Sequence, residues 1–185
     1  IYQVPLVVEE EGLDEYVMAE LGLVQQARPP GDRHSEWRDI VTRESTGSVD
    51  VALVGKYGLE DAYISIHESL KHAGLERGVD VNASWIHAEH RAEELAGGDA
   101  SALAGVDGVV VPGGFGTRGA EGKIAAIEYA RENGLPFLGL CLGFQLAVVE
   151  YARNVLDLAG AHSAELDPET PHPVIDLLPD QDDLE

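Results

Sequence analysis

The stretch Leu135–Val155, LPFLGLCLGFQLAVVEYARNV, restricts the possible folds of this chain more than any other. Leu135 to Leu140 is a short apolar run preceded by the turn pair Asn133-Gly134, which predicts a buried strand. Phe144 to Val155 predicts a helix, with Leu146 and Val149 apolar and Glu150 and Arg153 polar. Between them stands a Gly-x-Cys-x-Gly frame, Gly139-Leu140-Cys141-Leu142-Gly143. Its glycines permit a sharp turn and leave space above the sulfur. The thiol then lies at a helix N-terminus, where the partial positive charge favours thiolate. A lone cysteine is ordinarily an apolar filler of the core. In a strand–elbow–helix context it reads instead as a nucleophile, with cysteine where many hydrolases carry serine.

A strand feeding a helix in this way implies neighbours of the same kind, and the chain supplies them. Ser48–Val54 predicts a strand, followed by Gly55-Lys56-Tyr57-Gly58 and a helix capped by Asp61, running through Ala73 and stopping at Gly74. Val79–Ile86 predicts a second strand. Glu89–Leu95 and Ala100–Ala104 read as short helical pieces around Gly97-Gly98. Val106–Val111 predicts a third strand, and Gly122–Asn133 a helix. This alternation predicts an α/β fold, a parallel sheet with helices on both faces. Ligands of such sheets bind outside the carboxyl ends of the strands, where Gly113-Gly114 and Cys141 both fall.

The flanks are less regular. Ile1–Val8 is apolar and β-branched and predicts a strand. Glu11–Gly22 predicts a helix with Leu13, Val17, Met18 and Leu21 on one face. Gln25–Gly47, with Pro29-Pro30-Gly31-Asp32, reads as a linker holding a short helix around Ser35–Arg43. Ala161–Leu166 suggests a short strand, Pro171–Leu178 is ambiguous, and Asp180–Glu185 is an acidic run. The expected organisation is residues 1–24 as the tail of a preceding domain, 25–47 as a linker, and 48–185 as the α/β domain. The start at Ile1, in mid-pattern, suggests a piece of a longer chain.

Charge narrows the function classes. The 185 residues carry 34 acidic and 12 basic side chains, a net charge of -22, with only three lysines, Lys56, Lys71 and Lys123. The acidic excess is spread along the chain, as on the solvated surfaces of proteins from saline cytoplasm; a basic partner is the other reading. Nucleic-acid binding is disfavoured, because phosphate contacts need a basic patch. A single cysteine cannot form an intramolecular disulfide, which fits a reducing cytoplasmic location. No apolar run approaches membrane-spanning length, and no signal-peptide pattern opens the chain.

Two further features bear on chemistry. Pro112-Gly113-Gly114-Phe115-Gly116 follows a strand end, and its glycines let backbone N–H groups approach a developing oxyanion. A plain turn or a phosphate-cradling loop are the other readings; the latter lacks a following Gly-Lys-Ser/Thr. A cysteine nucleophile also needs a base, usually histidine. The histidines are His34, His67, His72, His87, His90, His162 and His172. The pairs His67/His72 and His87/His90 lack a matching ligand cluster, so no metal site is expected. His172 lies nearest after the nucleophile helix among candidates for a base.

At these residues the chain resembles the class I glutamine amidotransferases and, within them, the CTP synthase family. The resemblance rests on VGKYGLEDAYISIHESLKHAG, on VVVPGGFGTRGAEGKIAAIEYARENGLPFLGLCLGFQLAVVEYARNV and on HSAEL, in family order. IYQVPLVVEEEGLDEYVMAELGL resembles the end of the family's synthetase domain. The fold implied is flavodoxin-like: three layers, a mostly parallel sheet with helices on both faces. The reaction implied is glutamine hydrolysis through a γ-glutamyl thioester on Cys141. Gly113 and Gly114 match the loop that binds glutamine and helps form the oxyanion hole. Leu142, Gly143, Phe144 and Gln145 match the glutamine-binding segment after the nucleophile. Glu165 matches the carboxylate that holds the substrate's α-ammonium group. For the intact enzyme the resemblance implies ammonia transfer to a synthetase domain of the same polypeptide and ATP-dependent amination of UTP to CTP. It also implies Mg2+, GTP as activator, and a homo-oligomer, a tetramer in the family. No cofactor is implied for this stretch itself, and neither nucleic acid nor membrane is a partner.

The chain departs from the family pattern in three places. The family's base and its glutamate partner belong to a downstream His-Pro-Glu motif, and a glutamine-contacting arginine to the same region; these residues contain neither, and His172-Pro173 is not that motif. The synthetase phosphate loop is absent, and Ile64 stands where the family commonly has lysine. This stretch alone is therefore expected to turn over little glutamine. Two other functions fit the same residues: a non-catalytic amidotransferase-like module for regulation or assembly, and the amidotransferase of another synthetase, such as those making GMP or carbamoyl phosphate. Ile1–Leu23 argues against the second.

Overall fold

The computed structural model describes residues 1–23, 32–56, 60–89 and 101–178. They fall into two compact units, one of Ile1–Ser48 with Ser69–Asp80, the other of Val49–Glu68 with Val81–Glu185.

In the first unit the expected strand at Ile1–Val8 is a helix, α1 (Val4–Glu10). Pro5 occupies its first turn, where a fixed φ and a missing N–H cost nothing. The β-branched run that suggested a strand has no sheet to join; instead Leu6 is buried while Val4 and Val7 stay half exposed. Contacts from α3 (Asp32–Thr42) hold α1: Gln3 donates to the Val41 carbonyl, Trp37 Nε1 donates to the Tyr2 carbonyl, and Arg38 pairs with Glu9 at 2.9 Å. The helix α2 (Leu13–Glu20) lies inside its expected bounds, yet none of its residues is buried, so its apolar stripe faces outward in this unit. The expected helix at Ser35–Arg43 is the body of α3.

The second unit holds a four-stranded sheet of β1 (Ser48–Gly55), β2 (Asp80–His87), β3 (Gly108–Val111) and β4 (Phe137–Gly139), in the order β2-β1-β3-β4. A 3-10 turn, Glu60–Tyr63, leads into α4 (Ile64–Arg77), which passes through Gly74 without stopping. The stop is Gly78, at φ +67, with the Val79 N–H bonded back to the Gly74 carbonyl. Gly74 is a buried residue inside the helix rather than its terminator. Residues 90–100, with their expected helical piece and Gly97-Gly98 break, the Asp61 side chain and the acidic tail lie outside the described set.

The pairs β1/β3 and β3/β4 are parallel, and every residue of β3 is buried, as a central strand covered on both faces requires. Two helices follow, α5 (Ala120–Glu132) and α6 (Leu142–Asn154). Ile124, Ala126 and Ala130 of α5 join Leu146 and Val149 of α6 and Val109 and Val111 of β3 in one apolar core. Because β4 closes the sheet on one side, it is not the fully buried strand expected at Leu135–Leu140: Leu138 is half exposed. The polar side of α6 also differs from expectation. Glu150 is buried, gripped by Arg131 of α5 through Nε at 2.9 Å and Nη2 at 2.8 Å.

Register decides what meets at the sheet's end. Val111 lies opposite Gly139, so Pro112-Gly113 and Leu140-Cys141 leave the sheet side by side, tied by Leu140 N–H to the Val111 carbonyl at 2.9 Å. Beyond α6 the chain forms a separate parallel pair, β5 (His162–Ser163) and β6 (Pro173–Ile175). The first is shorter than Ala161–Leu166, and the second resolves the ambiguous Pro171–Leu178 stretch into a strand with proline at its first position.

Candidate active site

Cys141 is the residue between β4 and α6, and its backbone is strained, at φ 52 and ψ -113. A non-glycine residue in that region costs about 1–3 kcal/mol unless its surroundings impose it. Here they do. The carbonyl of Cys141 already accepts from Phe144 and Gln145 N–H, and Gly143 N–H reaches back to Leu140. Both flanking glycines are demanded by contact: a Cβ on Gly139 would meet the Phe144 nitrogen at 2.7 Å, and one on Gly143 the Val111 carbonyl oxygen at 1.9 Å. The turn thus lifts the thiol out of the core, and Cys141 is exposed.

The glycine loop faces it. A Cβ on Gly113 would lie 3.3 Å from Cys141 Cβ and 3.7 Å from Sγ, so no side chain separates this loop from the thiol. Among the described residues no backbone hydrogen bond takes up the Gly114 or Leu142 N–H. Donors in such positions are the kind an oxyanion requires.

The loop is held from below by groups that sequence reasoning did not single out. Lys123 of α5 is buried, and its Nζ donates to the Pro112 carbonyl at 3.0 Å and the Gly113 carbonyl at 3.4 Å. Burial, then the neighbouring Lys56 ammonium, push its pKa down to about 8, against an upward pull from Cys141. Tyr63 Oη donates to the same Gly113 carbonyl at 3.1 Å, and its ring stacks on Trp85 at 5.0 Å. Lys56 Nζ donates to the Phe115 carbonyl. The one available signal was compositional, in that the chain holds only three lysines, one of them seven residues after the glycine loop.

A cavity of about 420 Å³ opens one helical turn beyond Cys141, lined by Gln145, Ser163, Ala164, Glu165, Ile175, Asp176 and Leu177. It brings Gln145 and Glu165 together. Of the other expected site residues, Leu142 and Gly143 are buried under the elbow, and Phe144 is exposed outside it. The Ser163 hydroxyl is buried without a partner among the described residues. Asp176 was not anticipated; it follows β6, in a stretch whose periodicity was ambiguous.

No hydrogen bond among the described residues joins Cys141 to a histidine. His162 Nδ1 accepts the Ser163 N–H at 2.8 Å, and burial together with Arg153 lowers its pKa. His172 is exposed, its backbone carbonyl accepting from His162 N–H. No helix among the described residues is long and apolar enough to cross a membrane.

Comparison with known proteins places this geometry. The family model for glutamine amidotransferase class-I matches residues 59–175. Over its whole length the chain is 65% identical to a CTP synthase of Natronomonas pharaonis, covering 33% of that protein. It is 64% identical to a CTP synthase of Halobacterium salinarum and 53% identical to one of Pyrococcus abyssi, again covering 33% of each. The chain thus spans about a third of the length of these curated relatives. A solved structure of the Trypanosoma brucei CTPS glutaminase domain with bound acivicin superposes with a TM-score of 0.65 at 38% identity, over 72% of this chain and 51% of that one.

Proposed function

This chain belongs to the class I glutamine amidotransferases, and on that premise we propose that it is the glutaminase part of a CTP synthase, hydrolysing glutamine to supply ammonia for amination of UTP to CTP. One observation carries the reading. An exposed cysteine sits in strained backbone at a helix N-terminus, against a glycine loop and one helical turn before Gln145, which lines a cavity with Glu165.

The chemistry follows from the placement. Cys141 thiolate attacks the carboxamide carbon, forming a tetrahedral oxyanion that the Gly114 and Leu142 N–H groups stabilise. Ammonia leaves with a proton, and water cleaves the γ-glutamyl thioester. Glu165 holds the α-ammonium of glutamine, with Gln145 beside it. Gly113 admits the substrate by having no side chain, Gly143 seats the elbow on Val111, and Leu142 and Phe144 carry the segment. The base that shuttles the proton is assigned to the family's His-Pro-Glu motif, which these residues do not contain.

On the same reading residues 1–24 are the tail of a synthetase domain, 25–47 a linker, and 48–185 the amidotransferase domain of a cytoplasmic homo-oligomer with an acidic surface. ATP, Mg2+ and the activator GTP serve the intact enzyme of which this chain is a part. The residues present do not suit a nucleotide triphosphate at the glycine loop, where Thr117-Arg118 follow instead of Gly-Lys-Ser/Thr.

The test uses acivicin, the compound bound in the trypanosomal relative. In a polypeptide of the relatives' full length, it should modify Cys141 alone, and glutamine should protect. Cys141→Ser should abolish both labelling and glutamine turnover, by about a thousandfold or more. Unimpaired glutamine turnover in Cys141→Ser would remove the nucleophile from the proposal.

A further inference from the structure

We propose that Lys123 and Tyr63 are positioning residues for the oxyanion loop: they hold the Gly113 carbonyl from two sides and so fix the direction of the Gly114 N–H beside Cys141. This rests on the glutaminase reading of the site.

The argument starts from scarcity. Three lysines occur in 185 residues of strongly acidic sequence, and two of them donate to carbonyls of a single loop. Lys123 is 1% exposed. A buried ammonium is unfavourable, and an apolar side chain of equal volume packs as well or better. Its presence therefore needs a reason other than packing. The geometry supplies one. Lys123 Nζ and Tyr63 Oη converge on the Gly113 oxygen at 3.4 and 3.1 Å.

A trans peptide is planar, with its C=O and N–H directed oppositely, so anchoring the Gly113 oxygen orients the Gly114 N–H. Two successive glycines have little intrinsic preference between orientations of the peptide that joins them. Rotated the other way, that peptide would aim a carbonyl dipole at the developing negative charge. Two donors on the Gly113 oxygen select the productive orientation. The anchors are themselves fixed. Lys123 also bonds the Pro112 carbonyl, and Tyr63 stacks on Trp85, which lies so close over Gly55 that a Cβ there would meet the indole at 2.2 Å.

The experiment compares Tyr63→Phe, Lys123→Met and the double variant in a polypeptide of the relatives' full length. Glutamine turnover passes through an oxyanion; alkylation of Cys141 by iodoacetamide does not. Each single variant should lose about tenfold in kcat and the double about a hundredfold, the scale of one lost oxyanion donor. KM should stay within about threefold, because the interaction exists only in the transition state. The iodoacetamide rate, read at a pH where the thiol is fully ionised so that loss of the Lys123 charge does not enter, should also stay within about threefold of wild type, since direct displacement at carbon makes no demand on oxyanion donors. A kcat within about twofold of wild type in the double variant overturns the inference, since a lost donor costs far more. So does an equal fall in kcat and alkylation rate, which would place the effect on the thiol. Tyr63→Phe removes one oxygen and keeps the ring stack, so it reports even where Lys123→Met folds poorly. Absence of glutamine turnover in the unaltered enzyme would overturn the glutaminase reading, and this inference with it. Turnover that is indifferent to all three variants overturns the inference alone.

Discussion

Gly143 and Val111 touch through backbone alone: a Cβ on Gly143 would lie 1.9 Å from the Val111 carbonyl oxygen. This contact seats the first turn of α6 on the end of β3, and the elbow at Cys141 depends on it.

Gly143→Ala should therefore force α6 away from β3. Overpacking of a rigid backbone contact costs about 3 kcal/mol or more. Urea denaturation should show that loss, and acivicin labelling of Cys141 should slow with it. An alanine variant of wild-type stability would mean that α6 can shift freely, and that the elbow is not set by this contact.

Glu165 lines the cavity with Gln145. If it receives the substrate's ammonium, Glu165→Gln removes a charge-assisted bond worth about 1.5–3 kcal/mol, or roughly ten- to a hundredfold in KM. Steady-state kinetics should show that rise with kcat changed far less. An unaltered KM would place the ammonium elsewhere, and Asp176 would be the next residue to substitute.

Arg131 and Glu150 join α5 to α6. Breaking a fully buried pair costs about 3–5 kcal/mol. The Arg131 side chain is 33% exposed, so water screens part of that loss. Arg131→Met should then cost about 2 kcal/mol by thermal or chemical denaturation. Substituting both, as Arg131→Met with Glu150→Leu, should recover most of it. Failure to recover would show that the pair contributes more than avoidance of an unpaired buried carboxylate.

Lys123 makes stability depend on pH in the alkaline range. Its pKa is about 8 in the folded chain against 10.5 as the ordinary value. Between these values the unfolded chain binds more protons, so this group's contribution to stability rises with pH, by up to about 1.4 kcal/mol per unit. Below pH 8 both states are protonated and the burial cost is carried in full. Relative to Lys123→Met, the wild-type chain should gain about 1.5 kcal/mol between pH 8 and 9.5, read by urea denaturation. A difference that stays flat across this range would mean that Lys123 titrates near its ordinary value.

Much of the site is legible in the sequence. Gly139, Cys141 and Gly143 announce an elbow because a sharp strand-to-helix turn needs glycine at fixed offsets, and that requirement is local. Gly113-Gly114 is legible for the same reason. Glu165 and Gln145 were reachable only through family resemblance, since nothing in their neighbours marks a ligand. Lys123 escaped notice because it sits one turn into an apparently ordinary amphipathic helix, and a lysine there normally faces water.

What the sequence determined by itself is therefore the alternation of strands and helices and the cysteine between β4 and α6. Periodicity and glycine placement express steric rules that act over a few residues. The tertiary structure decided three other things. It made Val4–Glu10 a helix with Leu6 buried, tied to α3 through Gln3, Tyr2 and Glu9 rather than to a strand neighbour. It buried Glu150 opposite Arg131. It brought Tyr63 and Lys123, sixty residues apart, onto one carbonyl beside the thiol. Each outcome concerns the partner of a buried group, and partners are set by which surfaces meet, which no local pattern encodes.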